Sequence, residues 1–306
     1  MSGWKKLGKI YNCCEIDDYL QTHASNPLAV WLEGDIYRVF FSGRDKNSRS
    51  SVGWVDIDIL REKVVGKCLE AACIYSSDPS SYYSHGISIG GYQKIGAREY
   101  IFFMGWNVIP GDYWRGTLGR IELSEGYTSL KVKDEKPVFG VSVADPVSLS
   151  YPWILKDEQG YKMWYGSTLK WESDNGEMIH VIKLATSEDG INWYSQGQAI
   201  SYEIGVAQAF SRPCVLKDGS GYHMWFSYRS GSGEQYRIGY AFSIDGQKWE
   251  SRESGIYASK GGWDSEMICY PNVFDHKGKR YMLYNGNGYG KEGFGLAVYE
   301  GDIENG

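Results

Sequence analysis

Ser150-Tyr-Pro-Trp-Ile-Leu-Lys-Asp-Glu-Gln-Gly-Tyr-Lys-Met-Trp-Tyr165 and Ser211-Arg-Pro-Cys-Val-Leu-Lys-Asp-Gly-Ser-Gly-Tyr-His-Met-Trp-Phe226 are two copies of one pattern. Each is a β-rich run, a polar turn that ends in Gly, and a second β-rich run, which is a β-hairpin. A third copy runs from Cys269 to Tyr284 and a fourth from Ser25 to Phe41. A weaker fifth begins at Ser84-His-Gly-Ile-Ser-Ile89 and resumes at Glu99-Tyr-Ile-Phe-Phe-Met104 after a longer turn. With Pro27, Gly86, Pro152, Pro213 and Pro271 as markers, the copies are 59, 66, 61 and 58 residues apart. That exceeds the ~40–45 residues of WD40 units and the ~50 of kelch units, and leaves room for four strands per unit.

The rest of each unit follows the same plan. Third strands are expected at 52–57, 119–123, 181–186, 238–243 and 295–299. Two units continue with matched turns, Ser187-Glu-Asp-Gly-Ile-Asn-Trp193 and Ser243-Ile-Asp-Gly-Gln-Lys-Trp249, before a short fourth strand. Asp-Gly supplies the side-chain acceptor and the positive φ of a tight turn. The fifth unit stops too early for a fourth strand of its own. Trp4-Lys-Lys-Leu-Gly-Lys-Ile-Tyr11 is similar to Trp249–Tyr257, so residues 4–11 are expected to complete it and close a ring. Closure leaves only short, protected edges. The expected fold is all-β: one five-bladed β-propeller domain over 1–306, with four-stranded antiparallel blades near 20–75, 80–140, 145–202, 207–258, and 264–300 plus 4–11.

Composition narrows the function. Net charge is −6, with no dense run of Lys and Arg, which argues against nucleic acid as a partner. No stretch approaches ~18 apolar residues, so no membrane span is expected. The first ten residues carry no apolar signal segment, and Cys13, Cys14, Cys68, Cys73, Cys214 and Cys269 fit no zinc spacing. Reduced thiols and a cytoplasmic location are the expectation. The 25 Tyr and 12 Trp suit strands and also surfaces that stack on sugar rings.

In a propeller the first strands line the channel, and a rim pocket can take a side chain from every unit. The residues before the markers are Asn26, His85, Tyr151, Arg212 and Tyr270. Second-strand ends add Arg44, Asp45, Trp106, Asn107, Ser167, Tyr228, Arg229, Asn285 and Asn287. This ring of planar hydrogen-bonding groups and aromatics suits a carbohydrate or other sugar-containing small molecule. A wet, polar channel is the plain alternative. Arg212 and Arg229 could hold a carboxylated sugar or a phosphate bidentately; Arg212 equally suits a buried anchor.

The sequence resembles the five-bladed glycoside hydrolase superfamily that includes families 32, 43, 62, 68, 117 and 130. The resemblance rests on Arg212-Pro, Gly221-Tyr-His-Met-Trp-Phe-Ser227, Ile238-Gly-Tyr-Ala-Phe-Ser243 and Asp245-Gly-Gln-Lys-Trp249. Trp263-Asp-Ser-Glu-Met-Ile-Cys-Tyr-Pro-Asn272, Tyr284–Gly290 and Gly293-Phe-Gly-Leu-Ala297 are similar to uncharacterised members found with bacterial surface-polysaccharide genes. The resemblance implies two carboxyl groups astride a glycosidic bond. The acids of family 43 do not carry over: Asn26, His85-Gly86 and Ser150-Tyr151 stand at the matching points. An amide cannot serve as a general base.

Asp145 and Glu266 are therefore the candidate catalytic acids, with His85 as a proton carrier because its ordinary pKa lies near ~6.5. Asp264 suits a capping role, and Asp45 suits pairing with Arg44. No cofactor or metal site is expected, since the five His show no ligand spacing; a channel cation such as calcium is left open. Gly286, Gly288 and Gly290 do not open a helix and make no nucleotide loop. The leading expectation is an enzyme that cleaves or transfers a glycosyl unit with a non-standard acid set. The alternatives are a non-catalytic glycan- or nucleotide-sugar-binding protein of polysaccharide biosynthesis, and an interaction scaffold with a large apolar patch.

Overall fold

The hairpins form where near-continuous buried runs flank a turn that supplies Gly. In the third unit β10 (Ser148–Asp157) pairs antiparallel with β11 (Gly160–Lys170), and Asp157 faces Gly160 at the turn. Gly160 has φ 117°, and a Cβ there would sit 2.6 Å from the Ser187 carbonyl, so the turn requires Gly. Next come β12 (Ile179–Ser187) and β13 (Tyr194–Gln198), giving a sheet in the order β10-β11-β12-β13. The structure, a computed structural model, describes residues 3–109, 111–128, 130–231 and 233–301. The ends of the expected domain, residues 1–2 and 302–306, lie outside them.

The other units repeat this order. One comprises β2 (Thr22–Glu33), β3 (Ile36–Arg44), β4 (Ser50–Asp58) and β5 (Lys63–Lys67). The next comprises β6 (Gly86–Ile95), β7 (Arg98–Val108), β8 (Trp114–Leu123) and β9 (Leu130–Val132). The fourth comprises β14 (Ala209–Asp218), β15 (Gly221–Arg229), β16 (Arg237–Ser243) and β17 (Glu250–Arg252). In the last, β18 (Cys269–His276), β19 (Lys279–Asn285) and β20 (Gly293–Tyr299) are joined by β1 (Trp4–Asn12), which pairs with β20. A short helical turn, α1 (Asn287–Gly290), precedes β20. The fold is all-β and propeller-like. First strands β2, β6, β10, β14 and β18 each pack on the next, and β18 packs back on β2.

The matched turns follow from their chemistry. Asp189 Oδ1 accepts from the N–H groups of Ile191 and Asn192, both at 2.8 Å, and Asp245 Oδ1 accepts from Gln247 at 2.8 Å and Lys248 at 2.9 Å. Gly190 and Gly246 supply φ of 74° and 72°.

The second unit corrects the expected marker. Each first strand skips two residues in its register with the second: Asn26-Pro27, Tyr151-Pro152, Arg212-Pro213 and Tyr270-Pro271. In β6 the skip falls at Gly90-Gly91, not at His85-Gly86. Gly stands there because a Cβ on Gly90 would lie 2.2 Å from the Pro152 carbonyl oxygen. With Gly91 as the marker, the spacings become 64, 61, 61 and 58 residues.

Candidate functional site

Asn26, Tyr151, Arg212 and Tyr270 all adopt left-handed backbone, with φ of 57°, 40°, 47° and 55°. Such a conformation costs a non-Gly residue about 1–2 kcal/mol, and the following Pro already disfavours the right-handed helical region. It accompanies the two-residue skip in these four units, whereas Gly90 and Gly91 at the skip of β6 keep negative or extended φ.

Three of these residues face a shared space. A cavity of about 250 Å³ is lined by Arg44, Trp106, Trp114, Tyr151, His180, Arg229, Tyr236, Tyr270 and Tyr289, with Ser88, Met104, Ser150, Met178, Phe210 and Ser211 between them. A recess of about 30 Å³ shares Arg44, Ser88, Trp106, Tyr151 and Tyr270 with it and adds Asn26, Ser25, Ser42 and Ser50. The cavity is just under the ~300–1,000 Å³ of drug-sized pockets, which suits a small ligand rather than a polymer. No Asp or Glu lines either space. Burial raises the pKa of Tyr151, Tyr236 and Tyr270, which keeps their hydroxyls neutral at pH 7. Arg229 is ion-paired with Glu177, its Nη2 donating to Oε1 at 2.9 Å. Trp114 meets Trp171 edge-on at 4.8 Å, and Trp171 stacks on exposed Tyr113 at 4.9 Å, so an aromatic path leads outward.

Arg212 does not line the cavity. It is 1 % exposed, and its guanidinium donates to main-chain carbonyls of three other units. Nη1 reaches Tyr270 and Pro271, both at 2.9 Å; Nη2 reaches Asn26 at 3.1 Å, Pro27 at 2.8 Å and Gly90 at 3.4 Å. Burial lowers its pKa to about 10, so it is a cation at neutral pH. A built-in cation thus sits where the first strands converge, held by the oxygen type that would otherwise suit a metal. Among the described residues, no group of three or more His, Cys, Asp or Glu could hold a metal ion.

The expected acids lie elsewhere. Asp145 is fully buried, 3.0 Å from Lys183 Nζ, and accepts from Tyr165 Oη at 3.0 Å and Ser167 Oγ at 2.6 Å. Asp264 repeats this bracket in the last unit, with Lys6 at 2.7 Å and Tyr284 Oη at 3.0 Å. Tyr165 and Tyr284 end the matching hairpin copies, so the carboxylate belongs to the repeat. Glu266 is exposed and lines a separate groove of about 1020 Å³, which shares Phe210 and Tyr236 with the cavity. His85 is half-buried outside the cavity, with Nδ1 3.3 Å from the Val108 N–H. Asp45 pairs with Arg49 at 2.9 Å, not with Arg44, and accepts from Tyr75 Oη at 3.1 Å. Burial alone would raise its pKa, but the Arg49 hydrogen bonds outweigh that and hold it low. Asn285 is fully buried and clamps Asn26 N–H, Ala24 O and Gly293 O. Asn107 lines neither space.

Trp114, Met178, Tyr236 and Tyr289 were not expected. Trp114, Met178 and Tyr236 share one position, at or one residue before a third strand (β8, β12 and β16), while Tyr289 lies in α1, in the loop that leads to β20. The repeat therefore contained the signal, one loop further along than the second-strand ends. His180 was missed as well. Its Nε2 lies 2.7 Å from Ser150 Oγ and its Nδ1 lies 2.8 Å from Thr168 Oγ1, while burial lowers its pKa to about 4 and keeps it neutral.

No protein-family model matches the sequence. The chain is 41% identical over 303 residues to the uncharacterised proteins MT1551 (strain CDC 1551 / Oshkosh) and Rv1502 (strain ATCC 25618 / H37Rv) of Mycobacterium tuberculosis, covering 97% of this chain and 99% of each relative. Among solved structures, a glycoside hydrolase superposes with a TM-score of 0.75 at 12% identity, over 99% of this chain and 94% of its own. A structure described as belonging to the GH130 family of mannoside phosphorylases, with glycoside hydrolases that target β-1,2 mannosidic linkages in Candida mannan, gives 0.71 at 12% identity, over 100% and 96%. The Bombyx mori GH32 β-fructofuranosidase BmSUC1 gives 0.66 at 13%, over 93% of this chain and 63% of its own. The chain belongs to the family of the two mycobacterial proteins and carries the glycoside hydrolase-like propeller fold.

Proposed function

We propose that the protein is a carbohydrate-binding propeller whose central cavity holds a sugar-containing ligand without two-carboxylate hydrolysis. The observation that carries this reading is the lining: aromatic faces, neutral tyrosine hydroxyls and Arg44, with no Asp or Glu. Aromatic rings stack on sugar faces, and planar polar groups read hydroxyls. Hydrolysis by the usual route needs two carboxyl groups ~5–9.5 Å apart across the bond. Asp145 is an unsuitable donor there because it is buried against Lys183. The five sheet units are proposed as five blades of one domain spanning 1–306. Six free thiols fit a reducing compartment, and a role in polysaccharide biosynthesis fits a protein that holds glycans or nucleotide sugars.

A second reading keeps an enzyme. Glu266 lines the groove that shares Phe210 and Tyr236 with the cavity, so a glycosyl unit in the cavity could present its neighbour to that carboxylate. One experiment separates the two. Oligosaccharides are titrated while Trp emission and released reducing sugar are both followed. The binding reading predicts a spectral change without product, lost in Trp106→Ala and kept in Glu266→Gln. Product formation abolished by Glu266→Gln would establish the enzyme.

A further inference from the structure

We infer that the ligand carries an oxyanion seated on Arg44 and an adjacent hydroxyl that donates to Asn26. The inference rests on the carbohydrate reading above. Arg44 lines both the cavity and its recess, and its guanidinium has no ion-pair or hydrogen-bond partner among the described residues. Its neighbour Asp45 is committed to Arg49 and Tyr75. The other cation of the cavity, Arg229, is neutralised by Glu177. One positive charge is therefore left facing a space that no carboxylate lines.

Asn26 supplies an independent observation. It is 2 % exposed, lines the recess beside Arg44, and its Oδ1 is buried with no partner. Its backbone N–H is already used by Asn285 Oδ1 at 2.9 Å. A buried acceptor without a donor is costly and seldom left unmet. An adjacent cation and an unmet acceptor call for an anion and an O–H on one ligand, which is the chemistry of an acidic or phosphorylated sugar. The planar guanidinium fork suits either oxyanion. The recess, at about 30 Å³, has room for a single small functional group.

The test is calorimetric titration at low salt with four probes: D-glucuronate, glucose 6-phosphate, glucose and inorganic phosphate. At least one charged sugar is expected to bind ~10-fold or more tightly than glucose, with the advantage shrinking as salt is added. Arg44→Gln should erase that preference and Arg44→Lys should keep part of it. Arg44→Gln should melt within ~2 °C of wild type, because Arg44 has no protein partner to lose. Preference for glucuronate assigns a carboxylate; preference for glucose 6-phosphate assigns a phosphate. Equal binding of glucose and the charged sugars, or a preference that survives in Arg44→Gln, overturns the inference and leaves the carbohydrate reading standing. Inorganic phosphate bound as tightly as glucose 6-phosphate overturns the carbohydrate reading and the Asn26 contact with it. Binding of none of the four overturns both.

Discussion

Replacing Arg212 with Met should destabilise the whole fold, although the change conserves volume. The guanidinium donates to four main-chain carbonyls at 2.8–3.1 Å, and they come from the first and last units. Each buried acceptor left without a donor costs about 1–3 kcal/mol, so the gross loss is about 4–12 kcal/mol. Removing a buried cation also returns its desolvation cost of several kcal/mol. The difference leaves a net loss on the order of 3–5 kcal/mol, since four neutral carbonyls lose their donor while no charge is left unpaired. For a chain of this size about 2 °C of melting temperature accompanies each kcal/mol, so the drop is about 6–10 °C. Scanning calorimetry and urea unfolding measure it directly. Arg212→Lys keeps the charge but not the fork, and one ammonium cannot span carbonyls of several units, so it should lose at least half as much stability. A melt within ~2 °C of wild type for Arg212→Met would refute the anchor role. So would loss of sugar binding at unchanged stability, which would make Arg212 a ligand contact.

Further outcomes follow from the same contacts. Asp145→Asn and Asp264→Asn each strand a lysine beside a buried tyrosine, so both should lower stability, by about 3 kcal/mol or more for fully buried Asp145, in urea unfolding. Deleting residues 1–11 removes the β1–β20 pairing and should lower the melting temperature sharply in the same assay. His180 has a folded pKa of about 4 against an ordinary 6.5, so below pH 6.5 the unfolded chain takes up a proton that the folded protein refuses. Stability should therefore be full above pH 6.5 and fall towards pH 4, by up to about 3 kcal/mol for this group. His23 shifts in the same direction, so His180→Asn should flatten the pH dependence of unfolding between 7 and 4.5 only in part.

Repetition made most of the architecture legible. The Pro markers and Asp-Gly turns sit at fixed points because each enforces a local backbone state, and local states can be read from local residues. The second unit was misaligned because it replaces the X-Pro pair with Gly90-Gly91, where the approach of Pro152 leaves no room for a side chain. That contact is long-range and leaves no local mark. The site was legible in part for the same reason. Tyr151 and Tyr270 reach the cavity from the repeated pre-proline position, yet Arg212 at that position turns into the convergence of the first strands. Backbone geometry is shared by all three, and only the carbonyls gathered from distant units decide where the cation goes. Asp145 looked free in sequence because its partners, Lys183 and Tyr165, lie 38 and 20 residues away.

A crystal structure of the protein soaked with an acidic oligosaccharide tests the central claim most directly. The account predicts a sugar ring in the cavity against Tyr151 and Tyr270, its oxyanion on Arg44 and a hydroxyl within hydrogen-bond reach of Asn26 Oδ1. A sugar bound instead in the groove beside Glu266, with a glycosidic bond flanked by two carboxylates, would contradict it.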